Sequence, residues 1–182
     1  MADSQKSTQN FPLKTENDSK TLLLIRHAKS SWDIGSLNDF DRPLNDRGKK
    51  DAPAMAKRLL SKKINIDAFV ASPAKRAKKT AACFAEEYGF DESQIVYVPE
   101  LYAAPLMVFY NVVRQIDDSL NHVAIFSHNP GITEFANSLT GFRIDNMPTC
   151  SIFGIKIAIK DWNDFSEAKK EFWFFDYPKL VV

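Results

Sequence analysis

Five side chains suited to one kind of chemistry stand at or just beyond the ends of runs that read as β-strands. Arg26 and His27 close the apolar run at 21–26 (TLLLIR). Arg76 follows 66–71 (IDAFVA) through Ser72-Pro73-Ala74-Lys75. His128 follows 122–127 (HVAIFS), and Glu100 follows a shorter run at 95–98. Arginine presents a planar, permanently charged fork that matches phosphate oxygens. Each charged hydrogen bond is worth about 1.5–3 kcal/mol net. A histidine of ordinary pKa, about 6.5, is largely neutral at pH 7 and can attack phosphorus. A second histidine can donate to the equatorial oxygens. The set therefore suits phosphoryl transfer. Neither an H-x-x-x-H pair nor a Walker glycine loop occurs, so no metal and no cofactor are expected. Taken singly, each residue has a plainer reading: a structural histidine, a surface arginine, an exposed acid. His122 opens its strand and is read as structural.

The elements that must position these residues alternate. A helix is predicted from the N-cap Asn45 to about residue 62, with Met55, Leu59 and Leu60 inward and Pro53 imposing a kink or a late start. Ser72-Pro73 reads as a cap plus first-turn proline for a helix to Tyr88, with Ala77, Ala81, Phe84 and Tyr88 on one stripe and Gly89 ending it. A third helix is expected at 105–116 with Val108, Val112 and Ile116 inward. Asn129-Pro130 repeats the cap signal before a helix to about Thr140. Runs at 150–159 and 171–175 read as further strands. Strands alternating with helices predict a three-layer α/β/α sandwich with a largely parallel central sheet, whose ligands bind at the carboxyl ends of the strands. Residues 1–20 read as a mobile polar tail, and 21–182 as a single domain.

The net charge of +1 hides two opposed blocks. Residues 42–79 hold 12 Lys and Arg against 3 Asp and Glu, whereas residues 80–182 hold 7 against 14. The basic block is a candidate anion site or a solvated helix face. Cys83 and Cys150 rule out a disulfide framework and any C-x-x-C motif; Cys83 reads as core. No apolar run reaches 18 residues, and the start lacks a signal-peptide core, so a cytoplasmic protein without a membrane partner is expected.

The motifs around these residues resemble those of the histidine phosphatase superfamily, which includes the cofactor-dependent phosphoglycerate mutases. Arg26-His27-Ala28-Lys29-Ser30 is similar to its R-H-G-x-S signature, with Ala28 in place of the usual glycine. Ser72-Pro73-Ala74-Lys75-Arg76-Ala77 with Thr80 is similar to S-P-x-x-R-A-x-x-T, and Ser127-His128-Asn129-Pro130-Gly131 to the segment around the second histidine. The resemblance spans 21–140 in the right order. It implies a phosphoglycerate mutase-like fold and a nucleophilic His27 that becomes phosphorylated. It further implies a phosphoryl group held by Arg26, Arg76 and His128, an acid at Glu100, and substrate contacts from Ser30, Arg42 and Asn129.

Only 21 residues separate Glu100 from His122, too few for a large cap over the pocket. Shortness, and the segment from Asp41 to Gly48, are similar to the SixA-type phosphohistidine phosphatases, which implies a phosphorylated protein as partner. A P–N bond has a leaving imidazole that protonates readily, so general acid help, usually worth about 10²–10⁴ in rate, matters less. A small-molecule phosphomonoesterase and a non-catalytic phosphate-binding adaptor stay open. Nucleic-acid binding through Lys75, Lys78 and Lys79 lacks an aromatic reader motif and is not expected. The lysines outside the pocket are read as a surface field that draws an anionic substrate.

Overall fold

The run at 21–26 is apolar without alternation because helices cover both faces of the sheet to which it belongs. The computed structural model describes residues 19–31 and 38–180. Six strands, β1 (Lys20–Arg26), β2 (Ala68–Ala71), β3 (Val96–Tyr97), β4 (His122–Ser127), β5 (Ile152–Ile157) and β6 (Lys170–Asp176), form one sheet in the order β3-β2-β4-β1-β5-β6. The first four are parallel, and β5 and β6 extend the β1 edge antiparallel. Leu23 and Ile25 of β1 face a core shared with helices α1 (Asp46–Ser61) and α2 (Lys75–Glu87). Leu22 and Leu24 face a second core, shared with α3 (Leu106–Arg114) and α4 (Gly131–Leu139). The fold is the expected three-layer α/β sandwich of phosphoglycerate mutase-like type, with no large insertion over the strand ends among the described residues.

Several local expectations need correction. α1 starts at Asp46, with the Asn45 side chain accepting from Gly48 N, and runs through Pro53, so the late start does not occur. Leu60 of that helix is 45% exposed, while Met55 and Leu59 are buried. Ser72 does not cap α2, which begins at Lys75; its hydroxyl turns towards His128 instead. In α3 the fully buried side chains are Phe109 and Val113, because the helix is rotated from the face read off the valines; Val108, Val112 and Ile116 pack partly buried at its flanks. Cys83 is only half-buried, and Cys150 lies in a turn before β5. Lys20 belongs to β1 rather than to a tail: it is buried, with its ammonium donating to the carbonyls of Asp118 and Leu120 at 2.7 and 3.0 Å. The rest of the expected tail, residues 1–18, lies outside the described residues.

Candidate active site

Register alone brings the histidines together. Arg26 of β1 pairs with Ser127 of the parallel β4, so the next residues, His27 and His128, leave the sheet side by side. Their rings lie 5.0 Å apart between centroids, and both are buried. Two glycines let the surrounding loops close in. A side chain at Gly48 would meet the Lys29 carbonyl at 2.1 Å, and one at Gly131 would meet the Ala104 carbonyl at 1.9 Å. Thr80 of α2 ties the first loop to the second: its hydroxyl accepts from Ala28 N at 3.0 Å and donates to the Arg76 carbonyl at 2.7 Å. On the far side, Cys150 N reaches the Arg26 and His27 carbonyls from a left-handed conformation (φ 62°), a backbone state that costs of order 1–3 kcal/mol. That turn presents Thr149 to the site.

The result is a cavity of about 260 Å³ at the carboxyl ends of β1, β2 and β4, where such sheets place their ligands. Arg26, His27, Ser30, Arg42, Arg76, His128 and Asn129, all singled out from the sequence, line it. Lys29, Asp39 and Thr149, which were not, join them. Glu100 does not; it is exposed on a short 3₁₀ turn, Pro99–Leu101. The strand-end rule placed it at the same rim, but β3 is the edge strand, and the turn after it carries the carboxylate outside the cavity lining. Thus four cations and one carboxylate line the cavity among the described residues.

Hydrogen bonds define both imidazoles. His27 Nδ1 faces the Ala28 carbonyl at 2.8 Å; a carbonyl can only accept, so Nδ1 carries the proton and Nε2 keeps its lone pair. Burial pushes the His27 pKa well below its usual value, with His128, Arg76 and Arg26 adding to the effect. The ring is therefore neutral near pH 7, and its Nε2 accepts from Arg76 Nε at 3.2 Å. His128 Nε2 lies 2.8 Å from the Ser72 hydroxyl, whose oxygen already accepts from Ala74 N. With the hydroxyl donating to Nε2, the proton of His128 sits on Nδ1. That atom, like Arg26 Nε, is buried with no hydrogen-bond partner among the described residues. Burial, followed by Arg76, holds the His128 pKa down to about 3. The site thus carries one imidazole lone pair and two unused buried donors.

Asp39 occupies the arginines. Its carboxylate accepts from Arg76 Nη2 at 2.9 Å, from Arg42 Nη1 at 2.7 Å and from the Tyr102 hydroxyl at 2.9 Å, while its carbonyl accepts from Arg76 Nη1. Burial alone would raise its pKa, but the bonds from Tyr102, Arg42 and Arg76 outweigh it and bring it to about 2. Arg42 also donates to the Ser30 hydroxyl at 2.6 Å and the Ser31 carbonyl at 3.0 Å, and Asn129 accepts from Thr133 and donates to the Met147 carbonyl. Nothing in the spacing of Asn38-Asp39-Phe40-Asp41-Arg42 distinguishes Asp39 from Asp41; only the fold places it on the two forks. No group of three His, Cys, Asp or Glu side chains among the described residues is arranged to hold a metal ion.

Fold and site together define a class that sequence comparison supports. The histidine phosphatase superfamily (branch 1) matches residues 22–102. An uncharacterised protein of Mycobacterium tuberculosis is 30% identical over 144 residues, covering 74% of this chain and 87% of that one. A chloroplastic protein of Arabidopsis thaliana, also uncharacterised, is 29% identical over 178 residues, 88% and 81% of the two chains. The protein histidine phosphatase SixA complexed with tungstate superposes with a TM-score of 0.74 over 87% of this chain and 97% of that one, at 20% identity, which shows a shared fold. The chain belongs to the histidine phosphatase superfamily, whose members are phosphatases or mutases.

Proposed function

We propose that the protein is a metal-independent phosphatase of the SixA type, working in the cytoplasm, that removes phosphoryl groups from phosphohistidine on a protein. His27 Nε2 attacks phosphorus in line; a P–N bond to His27 forms as the bond to the substrate imidazole breaks, and that imidazole takes up a proton. Water then attacks the phosphohistidine of His27, releasing inorganic phosphate and restoring the neutral ring. Arg26, Arg76 and His128 Nδ1–H hold the phosphoryl oxygens, where negative charge builds in the transition state. Ser30, Arg42 and Asn129 steer the group from the rim.

The observation that carries this reading is the state of the acids. Among the described residues the one carboxylate lining the cavity is Asp39, and with its pKa brought to about 2 it holds no proton to give at pH 7. Glu100 stands outside the lining, so an acid role for it requires a substrate that reaches across the rim. A leaving imidazole makes least demand on such an acid, whereas an alkoxide needs it. The cavity, at about 260 Å³, has room for a phosphoryl group and part of the group that carries it, and it opens at the strand ends, so the bulk of a large substrate can stay outside.

Two measurements test the proposal. Turnover of a polypeptide phosphorylated on histidine is compared with that of p-nitrophenyl phosphate and a panel of sugar phosphates, each with Glu100→Gln. The variant should be nearly silent on the P–N substrate; sugar phosphates turned over faster than the polypeptide would overturn the substrate assignment. Labelled donor quenched into alkaline detergent, which preserves phosphohistidine, should leave label on the wild type and none on His27→Ala. Undiminished label on that variant refutes the nucleophile.

A further inference from the structure

The catalytic cavity leaves most of the basic block unused. Lys75, Lys78 and Lys79 stand at i, i+3 and i+4 on α2, so they share one face, while Arg76 and Thr80 of the same helix are buried on the catalytic side. That lysine face meets Lys49 of α1 across a second cavity of about 360 Å³, larger than the catalytic one. Its walls are almost entirely carbon: Pro43, Leu44 and the methylene stems of the lysines. The four ammonium groups are opposed in the lining by Glu92 alone. Glu92 is engaged by Lys78 at 3.6 Å and Lys49 by Asp46 at 3.2 Å, while Lys75 and Lys79 enter no ion pair among the described residues. The chain joins the two cavities directly, since Arg42 lines one and Pro43 the other, and Arg76 lines one and Lys75 the other.

We infer that this lysine-rimmed groove docks an acidic segment of the phosphorylated partner, seating an apolar side chain on Pro43 and Leu44 while its carboxylates meet Lys75 and Lys79. The inference deepens the reading of the chain as a protein phosphatase and rests on it. Charge selects the occupant: an excess of cations around a carbon floor attracts an anionic chain, and apolar contact fixes its register. A nucleic acid is disfavoured, because no aromatic side chain among the described residues lines the groove for bases to stack upon. A docked segment also adds affinity to whatever the phosphoryl group gains in the neighbouring cavity.

The test separates docking from catalysis. A fluorescent peptide of aspartates and glutamates around a central leucine is titrated into the wild type and into a Lys75→Glu, Lys79→Glu double variant, with a lysine-rich peptide as control. We expect binding to the wild type, a loss of about tenfold or more in the variant, and weakening by salt. The acidic peptide should raise KM for a histidine-phosphorylated acidic polypeptide without changing kcat. In the variant that KM should rise while kcat/KM for p-nitrophenyl phosphate stays within twofold. No binding to the wild type, or equal binding to both proteins, overturns the inference. Binding without turnover of any phosphohistidine polypeptide leaves docking in place and overturns the proposed function. Concentration-dependent self-association that the double variant abolishes would make a second copy the occupant and also overturn the inference.

Discussion

Acidification should destabilise this protein through its two buried histidines, and His128 gives the clearest case. Desolvation and Arg76 bring its folded pKa to about 3, whereas the unfolded chain titrates near 6.5. Because the folded value is depressed, the unfolded state binds more protons between the two, so stability falls as pH drops below about 6.5 and goes on falling to about 3. At pH 5 the loss from His128 is about 2 kcal/mol. The figure is set by the unfolded value, since at pH 5 the folded ring is neutral. His27, pushed down for the same first reason, adds in the same direction. Urea unfolding of the wild type and of His128→Asn at pH 7.5 and pH 5 isolates the effect. The substitution costs stability at both pH values through the bond to Ser72, but the drop between them should be smaller by about 2 kcal/mol in the variant. Equal drops in the two proteins, or a wild type that gains stability on acidification, would refute the assignment of a neutral buried ring. The functional corollary is that His27, the proposed nucleophile, stays unprotonated in the free protein below neutral pH.

Two further outcomes follow from the hydrogen bonds of the site. Asp39→Asn should tighten binding of vanadate or inorganic phosphate, read by inhibition. The carboxylate competes for the same two arginine forks, and with Asp39 47% exposed each ion pair is worth about 0–1 kcal/mol, so the two together, at about 1 kcal/mol, give a gain of roughly fivefold; weaker binding would mean that Asp39 instead holds Arg76 in place. Ser72→Ala removes the donor that fixes the His128 tautomer and should lower kcat by about tenfold with little change in KM, less than the ~10²–10³ expected for losing an oxyanion donor outright; an unchanged kcat would show that His128 needs no such support.

Much of the site was legible in the sequence because local rules sufficed. Apolar runs ending in Arg26-His27, in Ser127-His128, and just before Ser72-Pro73-Ala74-Lys75-Arg76 mark strand ends, and a parallel sheet gathers strand ends at one edge whatever else it does. The same rule misplaced Glu100, because it says nothing of which strand is central: β3 is two residues long and lies at the margin. The cap signal at Ser72 was likewise a local rule, overridden when His128 arrived from β4 to take the hydroxyl. What the residues determined by themselves was the chemistry available, two imidazoles and a set of guanidinium forks, and the layers that would carry them. Tertiary structure alone decided that Nε2 of His27 keeps its lone pair, because packing sets the Ala28 carbonyl, which can only accept, against Nδ1. It also placed Asp39 on Arg76 across 37 positions of chain, and divided α2 into a cavity side and a lysine side, since a helix has faces only when something packs against it.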